Sequence, residues 1–153
     1  MKILLIEDDH FEMGVTVTDL REAFSKAKIL EFRSVAEFLN HLPDSGEVIA
    51  DILILEHYLP LMQMGRSEEE MNQVYQNLIT KFPWVGEEWN HQEAGERIIR
   101  YIRIKNPRLP ILIYTHSEYD NIAEDVRQEP RVKYLMKGDF DTLSLKKKVL
   151  SLL

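Results

Sequence analysis

Short apolar runs alternate along the chain with longer segments in which apolar residues recur every three or four positions. The first pattern is typical of strands buried on both faces, and the second of amphipathic helices. Their regular alternation predicts βαβ units and a doubly wound, five-stranded parallel sheet of the α/β class. The predicted strands are residues 2–6, 28–33, 50–56, 110–115 and 132–136, and the predicted helices are 11–25, a short one between Ser34 and Pro43, 67–82, 94–106, 117–128 and 140–153.

Residues 61–93 interrupt this pattern, because they far exceed the few residues that usually connect a strand to the next helix. We interpret them as an insertion after the third strand, within a single domain of residues 1–153. The helix predicted inside the insertion carries Met71, Val74 and Leu78 on one stripe. Because the insertion follows the third strand, it must emerge at the carboxyl edge of the sheet, where we expect it to form a lid.

Both tryptophans of the chain, Trp84 and Trp89, lie in the second half of the insertion. Large aromatic side chains serve equally well in small cores and in protein interfaces. The sequence therefore leaves two interpretations open: these side chains cover the insertion's own core, or they anchor a partner protein.

Composition narrows the range of partners and surroundings. The chain has 26 acidic and 19 basic residues, a formal charge of −7, which disfavours non-specific binding to nucleic acid or to an anionic membrane. It contains no cysteine, so thiolate chemistry and Cys-ligated zinc are excluded. The opening "MKILLIEDD" is too short for the apolar core of a signal peptide or for a membrane span. We expect a cytoplasmic protein that binds neither nucleic acid nor membrane through this domain.

Polar side chains that could bind a ligand or take part in a reaction stand at the ends of four of the five predicted strands. Glu7 and Asp8 follow the first strand, Glu56 ends the third, Thr115 ends the fourth and Lys137 follows the fifth. These side chains should converge, because the carboxyl ends of parallel strands meet at one edge of the sheet. Crowded carboxylates repel one another unless a cation neutralises them, and hard oxygen ligands suit Mg²⁺ or Ca²⁺. The pattern predicts a site for an anionic group beside a metal.

The segments "KILLIEDD", "DILILEHYLP", "PILIYT" and "YLMKG" resemble, in order and strand position, the receiver domains of two-component response regulators. The resemblance covers nearly the whole chain outside 61–93, and it implies a flavodoxin-like receiver fold with strand order 2-1-3-4-5. It also assigns roles to residues of this chain. The implied metal ligands are Glu7, Asp8, Glu56 and the backbone carbonyl of Tyr58, and the implied phosphoryl contacts and switch residues are Thr115, Lys137 and Tyr134.

The chain departs from the receiver pattern where the phosphoryl group is normally accepted. Glu56 stands in place of the usual aspartate, and its extra methylene moves the carboxylate by about 1.5 Å. His116 fills a position that is usually small, where it would obstruct access to the site. Gly138 replaces a common proline, and Gly95 is the candidate for a glycine that normally follows the third strand. These departures favour a pseudo-receiver that binds a partner without normal phosphorylation, with Mg²⁺ bound weakly.

Two rival functions stay open. One is a working phosphoacceptor, or a phosphatase-like enzyme that uses a metal held by Glu7, Asp8 and Glu56. The other is a transition-metal site built from histidines after three strands, although His57 should point away from its neighbour Glu56 in an extended chain. The histidines concerned are His10, His57 and His116.

The resemblance also suggests where a partner would bind. The usual contact surface of receivers corresponds to the sheet edge and the predicted helices 117–128 and 140–153, with accessible candidates at Tyr119, Lys133 and the basic run 146–148. The expected partner is a signalling protein or a histidine kinase. The sequence names neither the partner nor the pathway, and it leaves a homodimer open.

Overall fold

The computed structural model describes residues 1–63, 65, 67–86, 89–138 and 142–153. Its centre is a five-stranded parallel sheet with the order β2-β1-β3-β4-β5, which confirms the predicted topology. The predicted positions of all five strands are correct to within two residues at each end. The strands are β1 (Lys2–Ile6), β2 (Lys28–Phe32), β3 (Ile52–Leu55), β4 (Ile111–Thr115) and β5 (Val132–Met136).

Helices cover both faces of this sheet. Local capping explains where several of them begin: the side chains of Asp9, Ser34 and Ser67 each accept a hydrogen bond from the backbone N–H three residues later. The predicted start of the last helix at Phe140 lies outside the described residues. The helices are α1 (His10–Ala23), α2 (Val35–His41), α3 (Glu68–Lys81), α4 (Ala94–Lys105), α5 (Glu124–Arg127) and α6 (Thr142–Leu150).

The core forms two layers, one on each face of the sheet, because successive strand residues point to opposite sides. Ile3, Leu5 and Ile54 pack with buried residues of α1 and α6 on one face. Leu4 and Leu55 pack on the other face, with residues of α2, α4 and the insertion. A strand covered on both sides needs apolar residues throughout, which accounts for the unbroken "ILIL" of β3.

Within its described residues, the insertion packs on the core and does not form the lid expected over the strand ends, so this expectation is wrong. Helix α3 packs beside α2, where the ammonium of Lys81 donates to the carbonyl of Leu42 at 3.2 Å. Leu78, Phe82 and Val85 are almost fully buried in the same core layer as α2 and α4. The apolar stripe of the insertion is therefore used to extend the main core.

The two tryptophans complete this packing. Trp84 stacks on Tyr101 of α4 with ring centroids 5.1 Å apart, and the guanidinium of Arg97 lies over Trp89 at 4.9 Å. The indole N–H of Trp89 donates to the carbonyl of Leu59 at 3.3 Å. Of the two interpretations of the tryptophans, this packing agrees with a role in covering the core.

The predicted helix 117–128 is also wrong in part, because the segment is broken. A 3₁₀ turn at Tyr119–Asn121 is followed by extended backbone at Ile122, and only the four residues of α5 are helical. Ile122 is buried, and the backbone N–H of Ala123 donates to the carboxylate of Glu96 at 2.7 Å. These tertiary contacts hold the backbone in an extended conformation, which interrupts the predicted helix.

None of the helices in the described part of the chain combines the length and the apolar character that a bilayer crossing requires.

Candidate functional site

Three charged side chains meet at the carboxyl edge of the sheet, as the sequence predicted. The ammonium of Lys137 lies between two glutamates and donates to the Oε2 atoms of Glu7 and of Glu56, the latter at 2.8 Å. All three residues are buried, with 3%, 8% and 5% of the surface of Glu7, Glu56 and Lys137 exposed. The centre of the candidate site is therefore a buried ion triad.

The sheet register explains why these residues meet. Ile6 of β1 pairs with Leu55 of β3, so the next residues, Glu7 and Glu56, leave the sheet side by side. The backbone N–H of Glu56 donates to the carbonyl of Ile6 at 3.0 Å, so the hydrogen bonds between β1 and β3 continue up to Glu56. The N–H of Lys137 donates to the carbonyl of Thr115 at 2.7 Å and so fixes the lysine at the end of β5.

Every carboxylate oxygen of the two glutamates has a partner. Oε1 of Glu7 accepts from the N–H of Asp9 at 3.0 Å, and Oε1 of Glu56 accepts from the N–H of His57 at 2.6 Å. The two Oε2 atoms accept from Lys137. A buried ion cluster is tolerated when its charges are paired and its lone pairs are satisfied, and both conditions hold here.

Burial and mutual attraction shift the ionisation of the triad. Burial disfavours the charged form of Lys137, but the carboxylates of Glu56 and Glu7 outweigh it and raise the pKa of the ammonium above its usual 10.5. Burial raises the pKa of Glu7 above its usual 4.5, against the lowering effect of Lys137. The lysine is therefore held firmly in its charged form, as the cation of this cluster.

The residues present fit a magnesium ion in chemistry but not in arrangement. The carboxylates of Glu7, Asp8 and Glu56 are ligands that Mg²⁺ prefers. However, no three or more acidic or histidine side chains of the described residues are grouped so that they could hold one metal ion. Lys137 already lies between the two glutamates, so a metal ion would have to displace it.

Asp8 and Tyr58 stand at the margin of the triad. Asp8 directly follows Glu7 and is exposed, and partial burial together with repulsion from Glu56 raises the pKa of its carboxyl group. Tyr58 is 41% exposed, with its ring beside that of His57. The metal-binding roles of both residues stay predictions.

Thr115 is fully buried, and it directs its hydroxyl to Ser117 instead of to Glu56. The Thr115 hydroxyl donates to the Oγ atom of Ser117 at 3.2 Å, and it accepts from the Ser117 N–H at 3.1 Å. The phenol of Tyr134 donates to the carbonyl of Ser117 at 2.5 Å. The two predicted switch residues are thus joined through one serine that the sequence did not single out.

A second buried polar cluster lies beside the triad. The imidazole of His57 is 2% exposed and contacts Glu96 through Nε2 at 3.0 Å and Ser117 through Nδ1 at 3.3 Å. His57 thus points away from Glu56, as expected of neighbours in an extended chain. Sequence reasoning missed Glu96, although a signal existed: it stands three residues before Ile99, on the apolar side of its helix.

The histidines do not gather around a metal. His57 is bonded to Glu96, whereas the Nε2 atom of His116 lies 3.1 Å from a carboxylate oxygen of Glu12 in the first turn of α1. His10 is exposed at the start of that helix. The transition-metal site is therefore contradicted for these three residues. The role of His116 as an obstruction stays a prediction, and its side chain is 58% exposed.

Comparison with solved structures identifies the fold. A response regulator receiver domain protein from Clostridium thermocellum matches with a TM-score of 0.63 and 18% identity, over 99% of this chain and 92% of the other. A response regulator receiver protein from Sinorhizobium medicae matches with a TM-score of 0.64 and 14% identity, over 99% and 93%.

A third similar structure is the receiver domain of a sensor histidine kinase from Pseudomonas aeruginosa, which holds a magnesium ion coordinated in its active-site cleft. Its TM-score is 0.61 at 17% identity, over 99% of this chain and 95% of the other. No protein-family model matches the sequence, and no curated protein is found to be related to it. The chain has the fold of response-regulator receiver domains along nearly its whole length, which confirms the resemblance at the level of fold.

Proposed function

We propose that this chain is a receiver-like signalling module that regulates a partner protein by binding it, without phosphoryl transfer at Glu56. The observation that carries the proposal is the buried triad, in which Lys137 already satisfies Glu7 and Glu56. A carboxylate that is buried, bonded to an ammonium and bonded to a backbone N–H is a weak nucleophile. Attack on a phosphodonor would first require these contacts to break.

The length of Glu56 adds a geometric obstacle. Relative to aspartate, its carboxylate lies about 1.5 Å further along the side chain. Phosphoryl transfer needs the attacking oxygen in line with the leaving group, and a displacement of about 1 Å can cost roughly 100-fold in rate. The Glu56 carboxylate instead reaches Lys137, so it occupies that point of the site without any phosphodonor.

The test is incubation with acetyl phosphate and Mg²⁺, followed by intact-protein mass spectrometry. We expect no stable gain of a phosphoryl group by the wild-type protein. Glu56→Asp is the matched variant, because it shortens the side chain and weakens its contact with Lys137; we expect it to gain some acceptance. A phosphoryl group found on Glu56 of the wild-type protein would overturn the proposal in favour of a working phosphoacceptor or phosphatase-like enzyme.

Magnesium enters the proposal as a weak ligand. Because Lys137 lies where a cation would neutralise Glu7 and Glu56, Mg²⁺ has to compete with it, and we expect binding only in the millimolar range. Titration calorimetry should show a small heat at low salt that disappears in Asp8→Ala. Submicromolar binding would contradict the competition between the metal and the lysine.

A partner protein, such as another signalling protein or a histidine kinase, would bind the face built from residues 117–128 and α6. Tyr119 is 46% exposed there, and Lys147 of the basic run is exposed as well. The tryptophans of the insertion are not needed for this role, since they pack against the core. Crosslinking from a photoreactive residue at position 147 should capture the partner, and one at Asn72 on α3 should not.

A further inference from the structure

A cavity of about 310 Å³ opens on the side of the molecule next to the edge strand β5. It lies between the broken segment that ends in α5, strand β5 and helix α6. Tyr119, in the 3₁₀ turn, and Ile122, in extended backbone, both line the cavity. A continuous helix over 117–128 would place these two residues differently. The cavity is thus a product of the irregular backbone that the sequence pattern did not predict.

The floor of the cavity is apolar. Ile113 of β4, Val132 of β5 and Ile122 are all buried residues that contribute to it. Tyr119 and Tyr134 form an aromatic wall, with ring centroids 5.4 Å apart in an edge-to-face arrangement. Ligand pockets of this size typically combine such an apolar lining with a few polar groups that fix orientation.

The charged side chains that line this cavity are all cationic. They are Arg127, Lys133 and Lys148, and the described residues contribute no acidic side chain to the lining, although the chain as a whole carries a charge of −7. Close to this rim, the carboxylate of Asp120 is bonded to Arg127 at 3.0 Å and is 90% exposed. An excess of positive charge over an apolar floor favours a ligand that has an apolar body and an anionic group.

One of these cations has an unused donor. The Nε atom of Arg127 is buried and lacks a hydrogen-bond partner within the described residues. Its guanidinium is held in place over the Tyr119 ring at 5.0 Å. A buried N–H without a partner is costly, so the described residues leave this part of the Arg127 side chain unsatisfied.

We infer that this cavity is a binding site for a small amphipathic organic anion, with an aromatic or aliphatic body on the floor and a carboxylate, sulfonate or phosphate group at the cationic rim. The inference does not depend on whether Glu56 accepts a phosphoryl group. A bound ligand would contact Tyr134, whose phenol bonds to the Ser117 carbonyl, and Ser117 in turn bonds to Thr115. These hydrogen bonds would connect a ligand in the cavity, through Tyr134 and Ser117, to the buried Thr115 at the end of β4.

The test uses the fluorescent probe 1-anilinonaphthalene-8-sulfonate, an aromatic sulfonate, titrated into the full chain. We expect saturable binding with one probe per protein, weakened by added salt. Lys148→Gln should weaken binding by about three- to tenfold, and the double variant Lys133→Gln/Lys148→Gln by more, because each removes a charge from the rim. Lys26→Gln is the matched control, because Lys26 is an exposed lysine outside the cavity, and it should leave the affinity unchanged.

Two further measurements locate the probe. N-phenyl-1-naphthylamine has the same rings without the sulfonate, and its weaker binding should be insensitive to Lys148→Gln. Probe-induced amide shifts in NMR spectra should cluster at residues 119–134.

An exposed apolar patch on α1, where Phe11 is 75% and Val15 is 41% exposed, is the competing location. Equal affinity in the double lysine variant, or loss of binding in Phe11→Ser, would overturn the inference.

Discussion

At the scale of single residues, the central feature of the candidate site is the pairing of Lys137 with two carboxylates. Its ammonium neutralises two buried carboxylates that come from different strands. Removal of one partner from a buried ion cluster is costly, because it leaves the others charged and desolvated. The lysine is therefore a structural cation in this chain as well as a site residue.

We predict that Lys137→Met destabilises the protein at neutral pH by about 3–5 kcal/mol, because Glu7 and Glu56 lose their shared cation. Urea unfolding measured by circular dichroism gives the change. Lys147→Met, at an exposed position of α6, should change the stability by less than about 0.5 kcal/mol. Addition of Glu7→Gln and Glu56→Gln to Lys137→Met should recover part of the loss, and a mild effect of Lys137→Met alone would contradict the ion triad.

The same cluster predicts a dependence on pH. The folded-state pKa of Lys137 is raised, so its stabilising effect is fully present below the ordinary value of 10.5 and is lost as the pH rises through the folded-state pKa. The difference in stability between wild type and Lys137→Met should therefore narrow above about pH 10.5. It should also narrow in acid, where Glu7, whose pKa is raised by burial, becomes protonated. A constant difference from pH 4 to 11 would rule out this ionic origin.

At the scale of elements, Glu96 connects three parts of the chain. Its Oε1 atom on α4 accepts from His57 after β3 and from the Ala123 N–H in the broken segment. A helix position that faces the core normally carries an apolar residue. Here it carries a glutamate whose carboxylate accepts hydrogen bonds from two donors. This carboxylate helps to explain why the backbone before α5 does not continue as a helix.

Glu96→Ala should lower the stability by about 2–4 kcal/mol, because it leaves the His57 ring and the Ala123 N–H unsatisfied in the interior. Glu96→Gln retains an acceptor and should lose less. Glu93→Ala, at an exposed position one turn earlier, is the control and should be nearly neutral. Hydrogen exchange should show faster exchange at Ala123 in Glu96→Ala; unchanged exchange there would contradict the link.

A second prediction at this scale concerns close packing of α4 on the end of β3. A Cβ atom at Gly95 would lie 3.0 Å from the backbone oxygens of both Glu56 and His57. Gly95→Ala should therefore destabilise the domain by about 1–3 kcal/mol, since backbone would have to move. Gly14→Ala in α1 has open space around it and should stabilise by about 0.5–1 kcal/mol. Thermal unfolding of the two variants should shift in opposite directions.

At the scale of the whole molecule, the insertion is part of the main core. Leu78 and Val85 are fully buried with residues of α2 and α4, and Phe82 packs edge to face on Tyr101 with ring centroids 5.7 Å apart. A segment that only decorated the fold would not bury such side chains in the same layer. The domain is therefore a receiver fold enlarged on one face.

We expect replacement of 61–93 by a short glycine-containing loop to yield a chain that is unfolded or strongly destabilised, because one side of the core would be exposed. The milder Leu78→Ala should cost about 2–5 kcal/mol, as for other buried leucines. Asn72→Ala on the exposed side of α3 should be nearly neutral. A deletion protein that unfolds cooperatively at the wild-type temperature would show that the insertion is dispensable.

The sequence alone determined the sheet, its strand positions and the meeting of Glu7, Glu56 and Lys137. These depend on local pattern and on parallel topology: apolar runs define buried strands, and the ends of parallel strands fall at one edge. The positions of α1, α2, α3 and α4 were predictable for the same reason, since apolar stripes are local signals, as are the capping residues of α1, α2 and α3.

Only the tertiary structure decided the path of the insertion, the break before α5 and the partners of the buried polar groups. The stripe of α3 shows that one face is buried but not against which neighbour, and the pattern over 117–128 does not reveal that a distant carboxylate binds Ala123. The contacts of His57 with Glu96 and of Thr115 with Ser117 depend on side-chain directions across elements. Periodicity carries information within one element, whereas these features arise from contacts between elements that are far apart in the chain.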